Sequence, residues 1–385
     1  MTPIRLNRRR FLGASAAAGL ALSGGVPAEG GEDTRPVRLG LIGLGNRGTS
    51  LLRTALELPG VTVAAVADAE PRHLQRARGI VEKATRQRPD GSDDPAVLLA
   101  RDDLDAVLVA LPCDLHAATY RAAIAAGKSL YAEKPLGLSL AECDAVIAAA
   151  AARPELAVHV GFQRRSHPRY REAVAMLHAG AIGPVVAGRG QWVSSNGPVS
   201  GHGGWLGSRA RSGDWMVEQA VHVWDVLNWA LGGPPERAFG SGRRDVFTHL
   251  QPDRDVTDHY AVMLLWPGDV QVSFTHSWAD PADDAFTGTA LQLIGRDGGL
   301  DLGSGVATFR AKERPRQALS PGSVADTKLA LEAFVRAVRS PEPVPPPVTL
   351  AEARDALRTA LLVRRAVDPA GPRRVVTLDE VDAPA

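Results

Sequence analysis

The chain is 385 residues long, which suits two domains, and its 45% hydrophobic and 23% charged residues are an ordinary globular balance. A formal net charge of +1 leaves no basic footprint, so no nucleic-acid partner is expected. The two cysteines, Cys113 and Cys143, are too few for a disulfide scaffold or a cysteine-rich metal centre.

Residues 1–34 read as a signal and linker. Arg8-Arg9 ahead of Phe11-Leu12 has the form of a twin-arginine export signal. Residues 14–22 are an alanine-rich apolar run, too short to span a bilayer as a mature helix. Val26-Pro27-Ala28 supplies small residues where a peptidase can cut. A basic, disordered N-terminus is the plainer alternative, but it leaves the apolar run unexplained. Export through the twin-arginine machinery, to the periplasm or beyond, is therefore expected. That route carries folded proteins, which suits an enzyme loaded with its cofactor in the cytoplasm.

Residues 35–165 read as a doubly wound α/β domain. Val37-Arg38-Leu39-Gly40-Leu41-Ile42 has the composition of a buried strand, and residues 49–56 that of a helix. Between them lies Gly43-Leu44-Gly45-Asn46-Arg47-Gly48. Strand, G-x-G-x-x-G and helix in that order are the context in which this motif binds a dinucleotide. Gly43 permits the tight turn, Gly45 lets backbone approach a pyrophosphate, and Gly48 lets helix and strand pack closely. The helix N-terminus adds free N–H groups and positive potential. A second strand, residues 61–67, ends at Asp68, 20 residues past Gly48. A carboxylate there takes the adenosine ribose hydroxyls and repels a 2′-phosphate, so NAD is expected over NADP. Arg72, just beyond, is a possible phosphate partner and tempers that preference.

The pattern then predicts a helix over 72–88, a breaker-filled loop at 89–95, a strand over 105–112 and a helix over 117–126 closed by Gly127. A short strand at 129–132, a helix over 140–152 and a strand over 156–162 complete the domain. Ligands of such sheets sit at the carboxyl ends of the strands. Leu111-Pro112, Glu133-Lys134-Pro135 and Gln163-Arg164 fall there, with Gly43 and Asp68.

Residues 166–385 read as an α+β domain. A helix near 168–179 leads to a long strand, 185–193, and a Gly/Ser-rich loop, 194–213. An amphipathic helix is predicted over 215–231, stopped by Gly232-Gly233-Pro234-Pro235. Strand-like runs at 238–243, 259–266, 270–278, 290–295 and 305–310 predict a large, mostly antiparallel sheet. Residues 350–366 form the last predicted helix, after a proline-rich stretch.

On the helix over 215–231, Glu218, His222 and Asp225 stand at i, i+4 and i+7 and share one face. Val217, Val221 and Trp224 make the neighbouring apolar stripe. An ionisable row beside a buried stripe suits a helix lining a pocket. His222 is the candidate base, because imidazole exchanges protons near neutral pH. A divalent ion on these three side chains competes, but no second His or Cys lies at ligand spacing and no metal is expected. A histidine held structurally by its carboxylate neighbours is the other alternative. Lys134, at a strand end beside the nucleotide site, is the second proton-transfer candidate; desolvation and a neighbouring nicotinamide cation predict a lowered pKa. Its plain alternative is a surface lysine before a turn-forming proline. Trp192 and Trp205 are candidates to stack on a sugar face, and His202 and Arg209 to reach a substrate from the loop.

Taken together, Gly43-x-Gly45-x-x-Gly48, Asp68, Ala126-Gly127-Lys128 before Glu133-Lys134-Pro135, and His222-x-x-Asp225 resemble the glucose–fructose oxidoreductase/inositol dehydrogenase family (Gfo/Idh/MocA). The likeness runs from about residue 36 to the C-terminal helix. The V-E-Q-x-V-H-x-x-D form is similar to an exported twin-arginine subgroup. The resemblance implies a Rossmann oxidoreductase that passes hydride between nicotinamide and a hydroxyl-bearing carbon of a sugar, glycoside or cyclitol. It implies that Lys134 contacts substrate and nicotinamide ribose, that the Lys134–Pro135 bond is cis and that His116 lies near the cofactor. The cofactor set is then Gly43 to Gly48, Asp68, Leu111, Pro112, His116, Glu133, Lys134 and Gln163. Lys134, Arg164, Trp205, His222 and Asp225 face substrate, and Lys134 and His222 share the proton work with Glu218 or Asp225 orienting. The family usually has aspartate where Glu218 stands; the longer side chain still reaches the imidazole or a substrate hydroxyl. The sheet of the second domain implies a homodimer or homotetramer.

Outside the cytoplasm there is no pool of free NAD, so the NAD is expected to be tightly bound and restored in place. Relatives alternate oxidation of one sugar with reduction of another, or they oxidise, eliminate a glycosidic group and reduce. A redox-neutral NAD-dependent glycosidase is therefore the second reading. A non-catalytic sugar-binding protein on the same fold is the third; Lys134, His222 and the intact nucleotide fingerprint speak against it.

Overall fold

A computed structural model describes residues 35–195, 197–322, 325–371 and 374–382. The export-signal reading falls on residues 1–34, outside the described residues. In chain order the first half runs β1 (Val37–Ile42), α1 (Asn46–Leu56), β2 (Val61–Ala67), α2 (Pro71–Thr85), β3 (Asp90–Ser92), α3 (Pro95–Leu99), β4 (Ala106–Val109), α4 (His116–Ala125), β5 (Ser129–Ala132), α5 (Leu140–Ala151) and β6 (Val158–Val160). Apolar, β-branched runs alternate with helical ones, and both faces of the sheet are covered, as parallel strands require. The order is β3-β2-β1-β4-β5-β6, parallel throughout. Winding reverses between β1 and β4, which opens a crevice beyond their carboxyl ends, where Gly43 stands. The segment read as a loop at 89–95 holds the edge strand β3 instead. Three polar or small residues carry no alternation, so only pairing with Ala65–Ala67 reveals it.

The second half adds α6 (Pro168–His178), β7 (Val185–Val193), α7 (Arg209–Ser212), α8 (Trp215–Glu218), α9 (Val221–Leu231), β8 (Arg237–Arg243), β9 (His259–Trp266), β10 (Val270–Ser277), β11 (Gly288–Gly295), β12 (Gly298–Asp301), β13 (Val306–Phe309) and β14 (Gln317–Ala318). After these come α10 (Asp326–Arg339), α11 (Leu350–Val367), β15 (Val376–Thr377) and α12 (Asp379–Asp382). The nine-stranded sheet has the order β14-β13-β12-β11-β7-β10-β9-β8-β15. Only β7 and β10 pair in parallel. Among the described residues no helix is long and apolar enough to cross a membrane.

The two halves share a core. One apolar cluster runs from Ile42, Val107 and Leu130 through Val146 to Trp224, Phe274 and Leu357. α10, which the sequence reading leaves out, folds back onto the first sheet. Its Leu331, Phe334 and Val335, at helical spacing, join Leu39, Leu41 and Leu52 in a second cluster. Residues 326–339 therefore pack as part of the nucleotide-binding half, although the division at 165 assigns them to the other. Each fully buried side chain of this size contributes about 1.5–3 kcal/mol relative to exposure.

Candidate active site

The glycine motif forms a cradle. Gly43 has φ 84°, and a Cβ there would lie 2.3 Å from the Ala110 carbonyl oxygen. A Cβ on Gly48 would lie 1.8 Å from the Gly43 oxygen, so α1 can approach β1 only with glycine. Gly45 faces open space, with nothing within 4 Å of where a Cβ would be. It stands at the N-terminus of α1, which has no side-chain cap and no acid in its first turn. The N–H groups there are left for an anion. Asn46 is exposed beside it, and Leu111 and Pro112 are half-buried beyond β4. Asp68 accepts from the Leu44 N–H at 2.6 Å and the Glu70 N–H at 2.8 Å. Each of its oxygens keeps acceptor capacity for a ribose hydroxyl. Arg76 reaches back from α2 to the Leu44 carbonyl at 2.7 Å, a contact with no signal in the sequence.

Glu133 is buried and takes Arg47 Nε at 2.7 Å. Gly161 makes room for it, since a Cβ there would lie 2.9 Å from Glu133 Oε1. The Lys134–Pro135 bond is cis. His116 is buried, with Nδ1 2.7 Å from the Pro135 carbonyl and Nε2 2.8 Å from the Leu111 carbonyl. Burial pushes its pKa down, against both carbonyls. Expected near the cofactor, His116 is buried under the turn that carries Lys134, where a neutral ring donates to one of these two carbonyls.

The helix predicted over 215–231 is broken at Gln219-Ala220 into α8 and α9. Gln219 has φ −109° and ψ −58°. The row Glu218, His222 and Asp225 therefore does not share one face, and each member has its own task. Glu218 holds Lys134: Nζ donates to its main-chain oxygen at 2.5 Å and to Oε1 at 2.9 Å. Burial lowers the Lys134 pKa, but Glu218 and other acid groups outweigh it and the net direction is up. The expected loss of the lysine proton is thus corrected: Glu218 keeps the ammonium charged. His222 is buried, with Phe162 edge-on at 5.8 Å and Nδ1 without a hydrogen-bond partner. Burial, then Lys134, Arg164 and Arg47, hold its pKa well below the ordinary value, so the imidazole is neutral at pH 7. Asp225, expected to face substrate or orient His222, is 1% exposed and takes Arg165 at 2.9–3.1 Å through Nε and Nη2. It anchors α9 to the segment after β6.

Arg164 lies with its guanidinium carbon 5.0 Å from the Trp192 ring centre. Trp192 packs 6.0 Å from His276, whose Nε2 is 2.6 Å from Gln219 Oε1. Gln163 Oε1 is buried without a partner. Arg209 is tethered to Asp368 at 2.7 Å and, through its N–H, to Asp255 at 2.6 Å, so it is not free for substrate. The Gly-rich loop crosses toward the nucleotide half. His202 reaches Glu70 at 3.3 Å and packs 5.4 Å from His73, which lies 3.4 Å from Asp68. Trp205 is half-buried on the same loop. Arg211 reaches Asp114 at 3.3 Å. Among the described residues no group of three or more His, Cys, Asp or Glu side chains is placed to hold a metal ion.

A dinucleotide fits these residues. Gly45 leaves the cradle that a side chain would fill, α1 offers free N–H groups, and Arg47 Nη2, Gln163 Oε1 and His222 Nδ1 are buried polar atoms without partners. A Rossmann half with a glycine cradle at its crevice is a dinucleotide-binding fold. Residues 37–162 match the family model for an oxidoreductase family with an NAD-binding Rossmann fold, and residues 170–301 match the GFO/IDH/MocA C-terminal domain. The chain belongs to the Gfo/Idh/MocA family. It is 35% identical to an inositol 2-dehydrogenase of Acidothermus cellulolyticus over 199 residues, 51% of this chain and 53% of that protein. It is 32% identical to a glycosyl hydrolase family 109 protein of Saccharopolyspora erythraea over 166 residues, 42% of this chain and 36% of that one. The chain thus spans about half the length, or less, of these curated relatives. A scyllo-inositol dehydrogenase of Lactobacillus casei, solved with NAD(H) and scyllo-inositol, shares the fold at TM-score 0.72 and 19% identity, over 90% of this chain and all of that one.

Proposed function

We propose that this protein is an NAD-dependent oxidoreductase acting at a hydroxyl-bearing carbon of a cyclitol, sugar or glycoside. The observation that carries this reading is Lys134, held charged by Glu218 beside a neutral, buried His222 at the end of the glycine-motif sheet. The bound nicotinamide supplies hydride acceptance. His222 takes the hydroxyl proton, and the Lys134 ammonium holds the same oxygen in place. Arg47 and Glu133 fix the turn between cradle and lysine. The test is NADH formation from NAD with myo-inositol, scyllo-inositol, simple glycosides, D-glucuronate and glucose 6-phosphate. No absorbance change with any of them, under conditions where NAD binds, would refute it.

The likeness to glycosyl hydrolase family 109 supports a second reading, a redox-neutral glycosidase. It is distinguished by release of the aglycone with catalytic NAD and no net NADH. Two further expectations belong here. Export would make retention of NAD necessary, so the nucleotide should survive dialysis of mature protein; a cofactor-free preparation would contradict retention. Phe239 and Met263, paired across β8 and β9, are 50% and 37% exposed on the open sheet face. They favour a homodimer through that face, and sedimentation of a monomer at micromolar concentration would exclude it.

A further inference from the structure

We propose that the substrate carries an anionic group, a carboxylate or a phosphate, and that Arg164 takes it. Arg47, Lys134, Arg164 and Arg165 are the cations of the glycine motif, the Glu133-Lys134-Pro135 turn and the segment after β6. Arg47 is matched by Glu133 at 2.7 Å, Lys134 by Glu218 at 2.9 Å and Arg165 by Asp225 at 2.9 Å. Arg164 is the unmatched one: among the described residues it makes no ion pair. It is half-buried, and its guanidinium carbon stands 5.0 Å from the Trp192 ring centre and 5.8 Å from that of Tyr170.

A half-buried guanidinium loses hydration that stacking on an aromatic face only partly returns. Stacking leaves the planar edge and its N–H groups available, the fork that meets a carboxylate or phosphate oxygen pair. The position is the right one. Phe162, two residues earlier, touches His222. Trp192 leads through His276 and Gln219 to Glu218, the partner of Lys134. Arg164 therefore stands on the wall of the proton-transfer cluster, away from the Asp68 end where a nucleotide ribose belongs. A neutral cyclitol gives this guanidinium only hydroxyls. A uronate or other sugar acid, or a sugar phosphate, gives it a charge.

This inference rests on the oxidoreductase reading for the location of the substrate, and binding tests it apart from turnover. Calorimetric titration of NAD-loaded protein compares myo-inositol, D-glucuronate and glucose 6-phosphate, in the unmutated chain, Arg164→Gln and Arg164→Lys. One anion should bind about tenfold or more tightly than myo-inositol, the scale of a charged hydrogen bond, and which one separates carboxylate from phosphate. Arg164→Gln should remove that margin and weaken the anion more than myo-inositol, while Arg164→Lys should keep part of it. Myo-inositol binding as tightly as either anion, or Arg164→Gln leaving anion affinity intact, would overturn the proposal. NADH formation from neutral polyols alone would overturn it and leave the dehydrogenase standing. Anion binding that follows Arg164 without NADH formation would support it and count against the dehydrogenase.

Discussion

Lys134 and His222 have opposite electrostatic settings. The lysine is half-buried and kept charged by Glu218; the histidine is buried and kept neutral, partly by that lysine. Paired groups whose environments push them apart divide the work of acid and base. Lys134→Ala and His222→Ala should each lower turnover by on the order of a hundredfold, the scale of a proton-transfer group. Both should keep near-normal NADH affinity in a fluorescence titration. Glu218→Gln removes the charge that sustains the ammonium and should cost less than Lys134→Ala. Glu218→Asp should lie closer to the unmutated enzyme. Full activity in His222→Ala would move the base elsewhere. The pH profile gives a separate check. The acid limb of kcat/KM should lie below pH 6.5, the ordinary imidazole value from which His222 is displaced. Arg164→Gln takes away one cation, so the His222 pKa rises and the limb shifts to higher pH. A limb that stayed in place would show that His222 is not the group being titrated.

At the scale of elements, the loop from 197 to α7 is the part that ties cofactor site to substrate half. Gly201, Gly203 and Gly204 all have φ between 65° and 72°, which lets the chain bend toward Glu70. Arg211 ties the same loop twice, to the Gly203 carbonyl and to Asp114. The His202–Glu70 and Arg211–Asp114 links are both partly exposed, so each contributes a few tenths to about 1 kcal/mol. The His202→Ala/Arg211→Ala double variant should release NADH several-fold to tenfold faster in stopped flow, with little change in Tm. Unchanged release would make the loop a bystander. Much of this architecture was legible in the sequence: the glycine motif, Asp68 and the alternation of strands and helices are local patterns. The rest depends on partners far along the chain. Asp214 holds α8 at its start, one turn before the break at Gln219-Ala220. Its carboxylate accepts from the Trp215 N–H and from the Thr257 N–H and hydroxyl, at a backbone φ of 81° that costs about 1–3 kcal/mol. No periodicity in 215–231 announces a constraint from residue 257. Arg165 and Asp225 lie 60 positions apart, and only packing shows that Asp225 is already taken.

For the whole molecule, the shared core has a consequence for acid stability. His116, His159, His222 and His276 are all buried with lowered pKa values, His159 to about 4 and His276 to about 3. Burial is the first cause in each. The unfolded chain protonates these groups near pH 6.5 while the folded chain does not, so the unfolded state binds more protons as pH falls. Stability from this source is fully present above pH 6.5 and is lost below it, by about 1.4 kcal/mol per pH unit for each histidine. Asp225, raised to about 6 by burial against Arg165, and Asp214 and Asp355, both raised by burial, work the other way: the folded chain takes up their protons first. Four histidines against three aspartates still leave a net loss of stability as pH falls. Calorimetric Tm should therefore fall steadily between pH 6.5 and about 4.5. His159→Gln isolates one contribution, because burial is the sole cause of that shift and its Nε2 has no partner. The variant should show a shallower decline by one histidine's share. A Tm that stays flat over this range would mean that the folded chain accepts these protons, first of all at His116, whose two ring nitrogens both meet carbonyl oxygens.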